Sequence, residues 1–402
     1  MSLSVVIPAY NEEHGIAEIV RRVLDARAST RASGIGDVDL IVVDDGSRDG
    51  TAAAVSQIEG ARLVRHVANH GYGAALKTGF SCSTGEFIAF LDADGTYPPE
   101  SLPDLCRAAL AGADLVIGSR MAGEKSEMPT TRRLGNWFFA GLLSLIGQAR
   151  ISDSASGMRV IRRSALERLY PLPDGLNFTP VMSTRAVHEG LKMVEVPIVY
   201  SERIGRSKLS VVRDGVRFFN SIVWTALTYN PARMIGMVGL AGVLFAALVI
   251  VWLAVQRLSG ITVLGRAGTF LVYFGGVCGV AGVSLVNLGI MFNYLVSLFQ
   301  KRAVRQGMFG KPLFDPPIDR QFWWMGLLAI AAGAVLGIAV LVTSPSGDAI
   351  QRSWLWMLGA AFLVLVGVQV LVSWMVMRVL DEISGREELV RRDLANDPAK
   401  WN

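Results

Sequence analysis

Four apolar stretches in the C-terminal half limit this chain more than any other feature. Residues 234–255, 268–299, 322–342 and 354–377 contain no Asp, Glu, Lys or Arg. A helix of about 22 residues rises roughly 33 Å, enough to cross a hydrocarbon core of about 30 Å. The second stretch is longer, which predicts tilt or projection beyond the core. A charge inside a span costs on the order of 3 kcal/mol and marks an ion or proton path. With none present, the spans indicate no transporter mechanism. Arg203, Arg206, Lys208, Arg213, Arg217 and Arg233 precede the first span, and Lys301, Arg302, Arg305, Lys311 and Arg320 fill the loop between the second and third. The other loops carry only Arg257, Arg266 and Arg352. This asymmetry predicts that the N-terminal part, the central loop and the C-terminal tail lie in the cytosol. Trp323, Trp324, Trp354 and Trp356 sit at span ends, where an interfacial belt places them. The Gly275/Gly279 and Gly333/Gly337 spacings suit close helix packing, although glycine is also simply common in membrane helices.

Up to about Arg203 the chain reads differently. The opening MSLSVVIPAYNEE has neither a basic n-region nor an apolar h-region, so no signal peptide is expected. Cys82, Cys106 and Cys278 have no metal-ligand spacing and suggest no disulfide framework. A net charge of +5 is modest, and no nucleic-acid partner is expected. SVVIP (4–8), LIVVDD (40–45), FIAFLDAD (87–94) and DLVIGSR (114–120) alternate with helical patterns. Continuous β-branched runs separated by helices predict parallel strands buried on both faces. Ligands of such sheets bind beyond the carboxyl ends of the strands. There this chain places PAYNEE, DDGSRDG, DADGTYPPE and GSR. Residues 211–231 place Val212, Val216, Phe219, Ile222 and Val223 at helical spacing, which predicts a helix in the membrane interface; an amphipathic helix packed on the soluble part has the same pattern.

Singly, each motif has a plain explanation. Pro8 and Asn11 terminate a strand; Asp44, Asp45 and Gly46 make a turn; residues 69–73 form a loop with a glycine entry to a helix, and His70 reads as a loop residue rather than a base. Asp92 and Asp94 are either a surface turn or the two sides of a cation site. The ordered set is what is improbable by chance.

The succession VVIPAYNEE, IVVDDGSRDGT, NHGYGAALKTGF, FLDADGTYPPE, IGSRMAG, DSASGMR and SERIGRSKLS resembles the inverting glycosyltransferases of family two. More narrowly it is similar to the polyprenyl-phosphate sugar synthases typified by dolichyl-phosphate mannose synthase. The resemblance covers residues 3–230. It implies a Rossmann-like, mostly parallel α/β domain of the GT-A type (residues 1–210), an interfacial helix region (211–232), four transmembrane helices (233–380) and a tail (381–402).

By this resemblance Pro8, Ala9, Tyr10 and Glu12 border the nucleoside, Val43 and Asp45 read the base, and Gly73 and Lys77 stand nearby. Asp92, Ala93 and Asp94 contact the ribose-diphosphate, and Asp92 and Asp94 hold Mg²⁺ or Mn²⁺. Arg120, Arg203 and Lys208 serve the donor diphosphate; Arg120, Arg132, Arg203, Arg206, Ser207 and Lys208 serve the acceptor phosphate. Asp94, Asp153 and Arg120 are the expected catalytic group, with Asp153 orienting sugar or arginine rather than taking a proton. Ser156, Gly157 and Arg159 lie in the segment near the reacting sugar. Two departures stand out. Thr96 replaces a glutamine often found two residues after the second Asp, which points to a subgroup with its own donor preference. Asn136 replaces the serine four residues after the arginine aligned with Arg132, so Arg133 competes for that alignment.

The implied reaction moves one sugar from a nucleotide sugar, GDP- or UDP-linked, to polyprenyl phosphate at the cytosolic face of the plasma membrane. A homo-oligomer is compatible with this reading. A processive polysaccharide synthase is the first alternative, but its Gln-X-X-Arg-Trp motif does not occur; Gln351-Arg352 is followed by Ser353-Trp354. A non-catalytic membrane scaffold or flippase is the second. Intact Asp92, Asp94, Arg120 and Lys208 and uncharged spans argue against it.

Overall fold

A computed structural model describes residues 1–122, 128–147, 151–201, 210–261, 263–300, 318–343 and 353–394. The chain divides into two compact units, Met1–Ala226 and Leu227–Asn402.

The first unit is built on seven strands: β1 (Ser2–Ala9), β2 (Asp37–Asp44), β3 (Arg62–Arg65), β4 (Phe87–Phe90), β5 (Leu115–Ser119), β6 (Arg159–Arg162) and β7 (Met193–Pro197). They lie in the order β3-β2-β1-β4-β6-β5-β7. The sheet is mostly parallel, and β6 alone runs against its neighbours β4 and β5. Three strands go beyond the four sequence runs, and the third run stops sooner than it reads. β4 ends at Phe90, so Asp92 and Asp94 stand in the loop beyond it. The helices are α1 (Ile16–Asp25), α2 (Arg27–Ala32), α3 (Thr51–Ser56), α4 (Tyr72–Cys82), α5 (Leu102–Leu110), α6 (Thr130–Gly147), α7 (Arg163–Leu169), α8 (Phe178–His188) and α9 (Val211–Tyr229).

The strands are apolar throughout because both faces are covered. On one face Val5, Ile7, Leu40 and Val42 pack with Ile16, Ile19 and Leu105; on the other Val6, Ile41 and Phe90 pack with Leu76, Phe80 and Phe178. Two loops at the strand ends are locked together. Asn11 takes a left-handed conformation (φ 50°), which asparagine tolerates better than most residues. Its amide donates to Ser47 Oγ at 2.9 Å, and its Oδ1 accepts from the Arg48 amide at 2.9 Å.

The second unit contains α10 (Pro231–Leu258), α11 (Arg266–Gln300), α12 (Phe322–Thr343) and α13 (Trp354–Leu394). All four are long and apolar enough to cross a membrane. They overrun the uncharged stretches of the sequence: α10 and α11 carry Arg233, Arg257 and Arg266 near their ends, and α13 runs on past Met377 through Arg378, Asp381 and Glu382. Asn230 separates α9 from α10, accepting from the Arg233 amide at 3.0 Å. Pro231 opens the new helix, where its missing N–H costs nothing. Backbones touch where glycines meet: a Cβ on Gly239 would stand 2.6 Å from Gly282 O, and the reverse holds for Gly282. Gly275 and Gly279 face Val249 and Ala246 of α10, and Gly333 abuts the Ala360 carbonyl. Gly337 makes only an ordinary contact, 3.7 Å from Ala360.

Candidate active site

The ends of β1, β2, β4 and β5 open into a cavity of about 540 Å³ within the first unit. Pro8, Ala9, Tyr10 and Glu12 line it from the end of β1, and Asp45 from the end of β2. Asp92, Ala93, Asp94, Thr96 and Tyr97 come from the loop after β4, and Arg120 from the end of β5. Arg132 and Asn136 of α6 and Arg217 of α9 also line the cavity. The loop after β4 stays largely buried: Ala93 and Tyr97 remain in the core, Asp94 is buried, and Asp92 is partly exposed.

Asp94 is held by its own loop. Thr96 donates to Asp94 Oδ1 twice, from its hydroxyl at 2.6 Å and its amide at 3.2 Å. Asp92 Oδ1 accepts from the Tyr72 hydroxyl at 2.8 Å. Burial first and the Asp92 charge second push the Tyr72 phenol well above its usual value, so it stays a donor. Gly157 lies directly against the Asp92 carboxylate, where a Cβ would stand 2.3 Å from Oδ2. Among the described residues no His, Cys, Asp or Glu groups with others into a set of three. Two carboxylates with only oxygen donors suit a hard divalent cation that completes its shell with substrate phosphates and water. They would not make a closed protein cage.

Arg120 and Asp153 form a two-pronged ion pair. Nε donates to Oδ2 at 2.8 Å, Nη2 to Oδ1 at 2.7 Å, and the Arg120 amide to Oδ2 at 3.0 Å. Asp153 is fully buried. Burial favours its neutral form, but the Arg120 charge and hydrogen bonds outweigh that and hold the carboxyl below its ordinary range. Burial likewise opposes the Arg120 charge, yet Tyr97 and Asp153 keep its pKa above the usual value. The guanidinium lies 5.9 Å from the Tyr97 ring centroid and 5.5 Å from that of Tyr200, within cation–π range. Behind the pair, Glu195 accepts from the Ser152 and Asp153 amides at 2.9 Å and from Ser152 Oγ at 2.7 Å. Arg159 is also fully buried and braces the same loop, donating to Ser156 O at 3.0 Å and Ser154 O at 2.8 Å. Burial, eased by Asp153, brings its pKa down to about 10.

Residues 4–170 match Glycosyl transferase family 2, and residues 231–391 match a domain of unknown function (DUF8752). The undecaprenyl-phosphate 4-deoxy-4-formamido-L-arabinose transferase of Pseudomonas paraeruginosa is 31% identical over 76% of this chain and 88% of its own length. This chain belongs to glycosyl transferase family 2. The low-salt glycan biosynthesis hexosyltransferase Agl6 of Haloferax volcanii is 33% identical over 85% of this chain and 77% of its own. A solved glucosyl-3-phosphoglycerate synthase from Mycobacterium tuberculosis, in complex with Mn²⁺, UDP and phosphoglyceric acid, superposes with a TM-score of 0.46. It is 20% identical over 56% of this chain and 78% of that one. By its family the protein is a glycosyltransferase, and its first unit has the mostly parallel sheet of the GT-A type described above.

Not every residue expected in the glycosyltransferase site reaches the cavity. Val43 is buried in β2, and its side chain belongs to the core. Gly73 packs the start of α4 against residues 173–174, its amide donating to Asp174 O at 2.7 Å. Lys77 turns the same way, to Leu172 O at 3.1 Å and Asp174 Oδ1 at 2.5 Å. Asp45 does line the cavity, but its oxygens accept from His66 Nδ1 at 2.7 Å and from the His70 and Gly71 amides at 2.9 and 2.8 Å. Arg203, Arg206, Ser207 and Lys208 lie outside the described residues. Asn136 donates to Ser152 O at 3.0 Å, and Arg132, not the exposed Arg133, faces the cavity. Tyr72, Tyr97, Tyr200 and Glu195 were not singled out from the sequence. Tyr97, inside DADGTYP, had a motif to signal it; Glu195 and Tyr200 had none.

Proposed function

We propose that this glycosyltransferase moves one sugar from a nucleotide sugar to polyprenyl phosphate, with inversion at the anomeric carbon, at the cytosolic face of the plasma membrane. One observation carries the reading: a single cavity is lined both by a carboxylate pair suited to a metal-bound diphosphate and by arginines suited to a second phosphate. An undecaprenyl-phosphate sugar transferase among the relatives points to the same acceptor class.

In this reading the donor lies along the strand ends, bordered by Pro8, Ala9, Tyr10 and Glu12. Asp92 and Asp94 would hold Mg²⁺ or Mn²⁺, which when bound supplies Lewis-acid stabilisation of the leaving diphosphate. The lipid phosphate is mostly dianionic at neutral pH, its second pKa being near 6, so no base is required. One of its oxygens forms a bond to the anomeric carbon as the bond from that carbon to the donor diphosphate breaks. The electron pair leaves with the nucleoside diphosphate. Arg120 and Arg132 bring the two anions together, joined by Arg203, Arg206, Ser207 and Lys208 of the SERIGRSKLS segment. Asp153 keeps the Arg120 fork aimed, so catalysis rests on alignment and charge stabilisation.

α9 is proposed to lie in the membrane interface. Val212, Val216, Phe219 and Trp224 are exposed along it, and Leu134, Trp137, Phe138 and Leu145 along α6. The Phe138 and Phe219 rings stack at 6.4 Å, joining the two stripes. Ile222, counted with the apolar stripe from its spacing, instead turns inward with Ala226.

The test is transfer by the purified full-length protein with Mn²⁺, undecaprenyl phosphate and a panel of radiolabelled UDP- and GDP-sugars. Label entering the organic phase from one donor, and lost in Asp94→Ala, is the expected result. Nucleotide release without lipid labelling would reject the acceptor.

A further inference from the structure

A second concavity of about 700 Å³ lies on the first unit, between α9, α8 and residues 171–173. Arg185 of α8 and Arg213 and Arg217 of α9 line it, and no carboxylate does; Asp214 reaches Arg217 at 3.7 Å from beside the groove. Arg185 is half-buried. Its Nη1 donates to Leu169 O at 3.2 Å, while its buried Nε has no hydrogen-bond partner among the described residues. The outer edge is apolar and exposed, formed by Val216 and Trp224. Asn177 and Ser221 add polar groups to the wall, joined to each other at 2.7 Å. α9 then continues through Asn230 alone into α10, the first helix able to cross a membrane.

We propose that this groove binds the phosphate of an anionic phospholipid, as a site separate from the sugar-transfer cavity. Guanidinium forks match phosphate geometry and keep their charge at any physiological pH. A free phosphate would use the arginines but not the apolar edge. A phospholipid uses both, its headgroup on Arg185 and Arg213 and its first methylenes against Val216 and Trp224. Tryptophan beside basic residues, next to a span, is the arrangement an anionic leaflet attracts. Arg217 lines both concavities, whereas Arg185 and Arg213 line only the groove. The site does not depend on which sugar is transferred.

The experiment titrates the full-length protein in a neutral detergent with phosphatidylglycerol, read by native mass spectrometry, with phosphatidylcholine as the uncharged control. Arg213→Gln, at an exposed position, and Arg185→Gln are each expected to weaken phosphatidylglycerol binding about tenfold and leave phosphatidylcholine binding unchanged. Equal phosphatidylglycerol binding by Arg213→Gln and the natural protein would overturn the proposal. So would full displacement of the lipid by inorganic phosphate at millimolar concentration, which would make the groove a soluble-phosphate site. Displacement by equimolar undecaprenyl phosphate, lost in the same variants, would reassign it to the acceptor.

Discussion

Asp153 and Arg120 can each be neutralised only by leaving the other as an uncompensated charge, with Asp153 fully buried and Arg120 nearly so. Removing one partner of a buried pair costs about 3–5 kcal/mol, so Asp153→Asn should lower thermal stability sharply at neutral pH. The pH dependence has a definite sign. The folded carboxyl sits below its unfolded value of about 3.9, so its contribution is full above that value and fades as pH falls through the folded one. Melting curves of the natural protein should therefore fall more steeply than those of Asp153→Asn as pH drops from about 5 towards 3. Parallel slopes would show that another group carries the acid dependence. Thr96 gives a second residue-scale prediction. Its hydroxyl fixes Asp94 Oδ1, so Thr96→Val should weaken Mn²⁺ activation by about 10- to 100-fold, the usual effect of losing a partner that orients a metal ligand. Titrating activity against Mn²⁺ reads this directly; a lower rate with unchanged Mn²⁺ dependence would deny Thr96 that role. A threonine in place of the longer glutamine thus acts on the carboxylate rather than reaching past it.

Among the elements, the long apolar strands were legible and the short charged ones were not. β1 and β2 are continuous β-branched runs, which only a sheet covered on both faces accommodates. β3 reads RLVR, β6 RVIR and β7 MVEVP: four or five residues with charges inside or at their ends, too short for a period to emerge. Missing β7 hid the site's support. Its pairing sets Glu195 beside Ile117 of β5 and brings its carboxylate to the loop of Asp153, and nothing local to Glu195 announces that. The motifs were readable for the opposite reason, since they occupy the strand ends where polar residues break apolar runs. Helix packing in the second unit is testable at this scale. A side chain at Gly282 meets the Gly239 carbonyl and Val243 of α10. Gly282→Val should destabilise the detergent-solubilised protein by about 1–3 kcal/mol, the cost of overpacking, whereas Gly337→Ala, with its nearest neighbour at 3.7 Å, should melt like the natural protein.

For the whole molecule, charge distribution and chemistry must agree about sidedness. The basic loops predict a cytosolic catalytic unit. Protease added to inverted membrane vesicles should therefore remove the first unit, and protease added to intact spheroplasts should spare it; the reverse pattern would place the donor site on the wrong side. A single direct displacement by a lipid phosphate fixes both the composition and the configuration of the product. The purified lipid product should weigh one polyprenyl phosphate plus one sugar residue, with one phosphorus and an anomeric configuration opposite to that of the donor. Mass spectrometry with NMR of that product is the most direct measurement. A lipid bearing two phosphorus atoms, a chain of sugars, or a retained configuration would rule out direct displacement by the lipid phosphate.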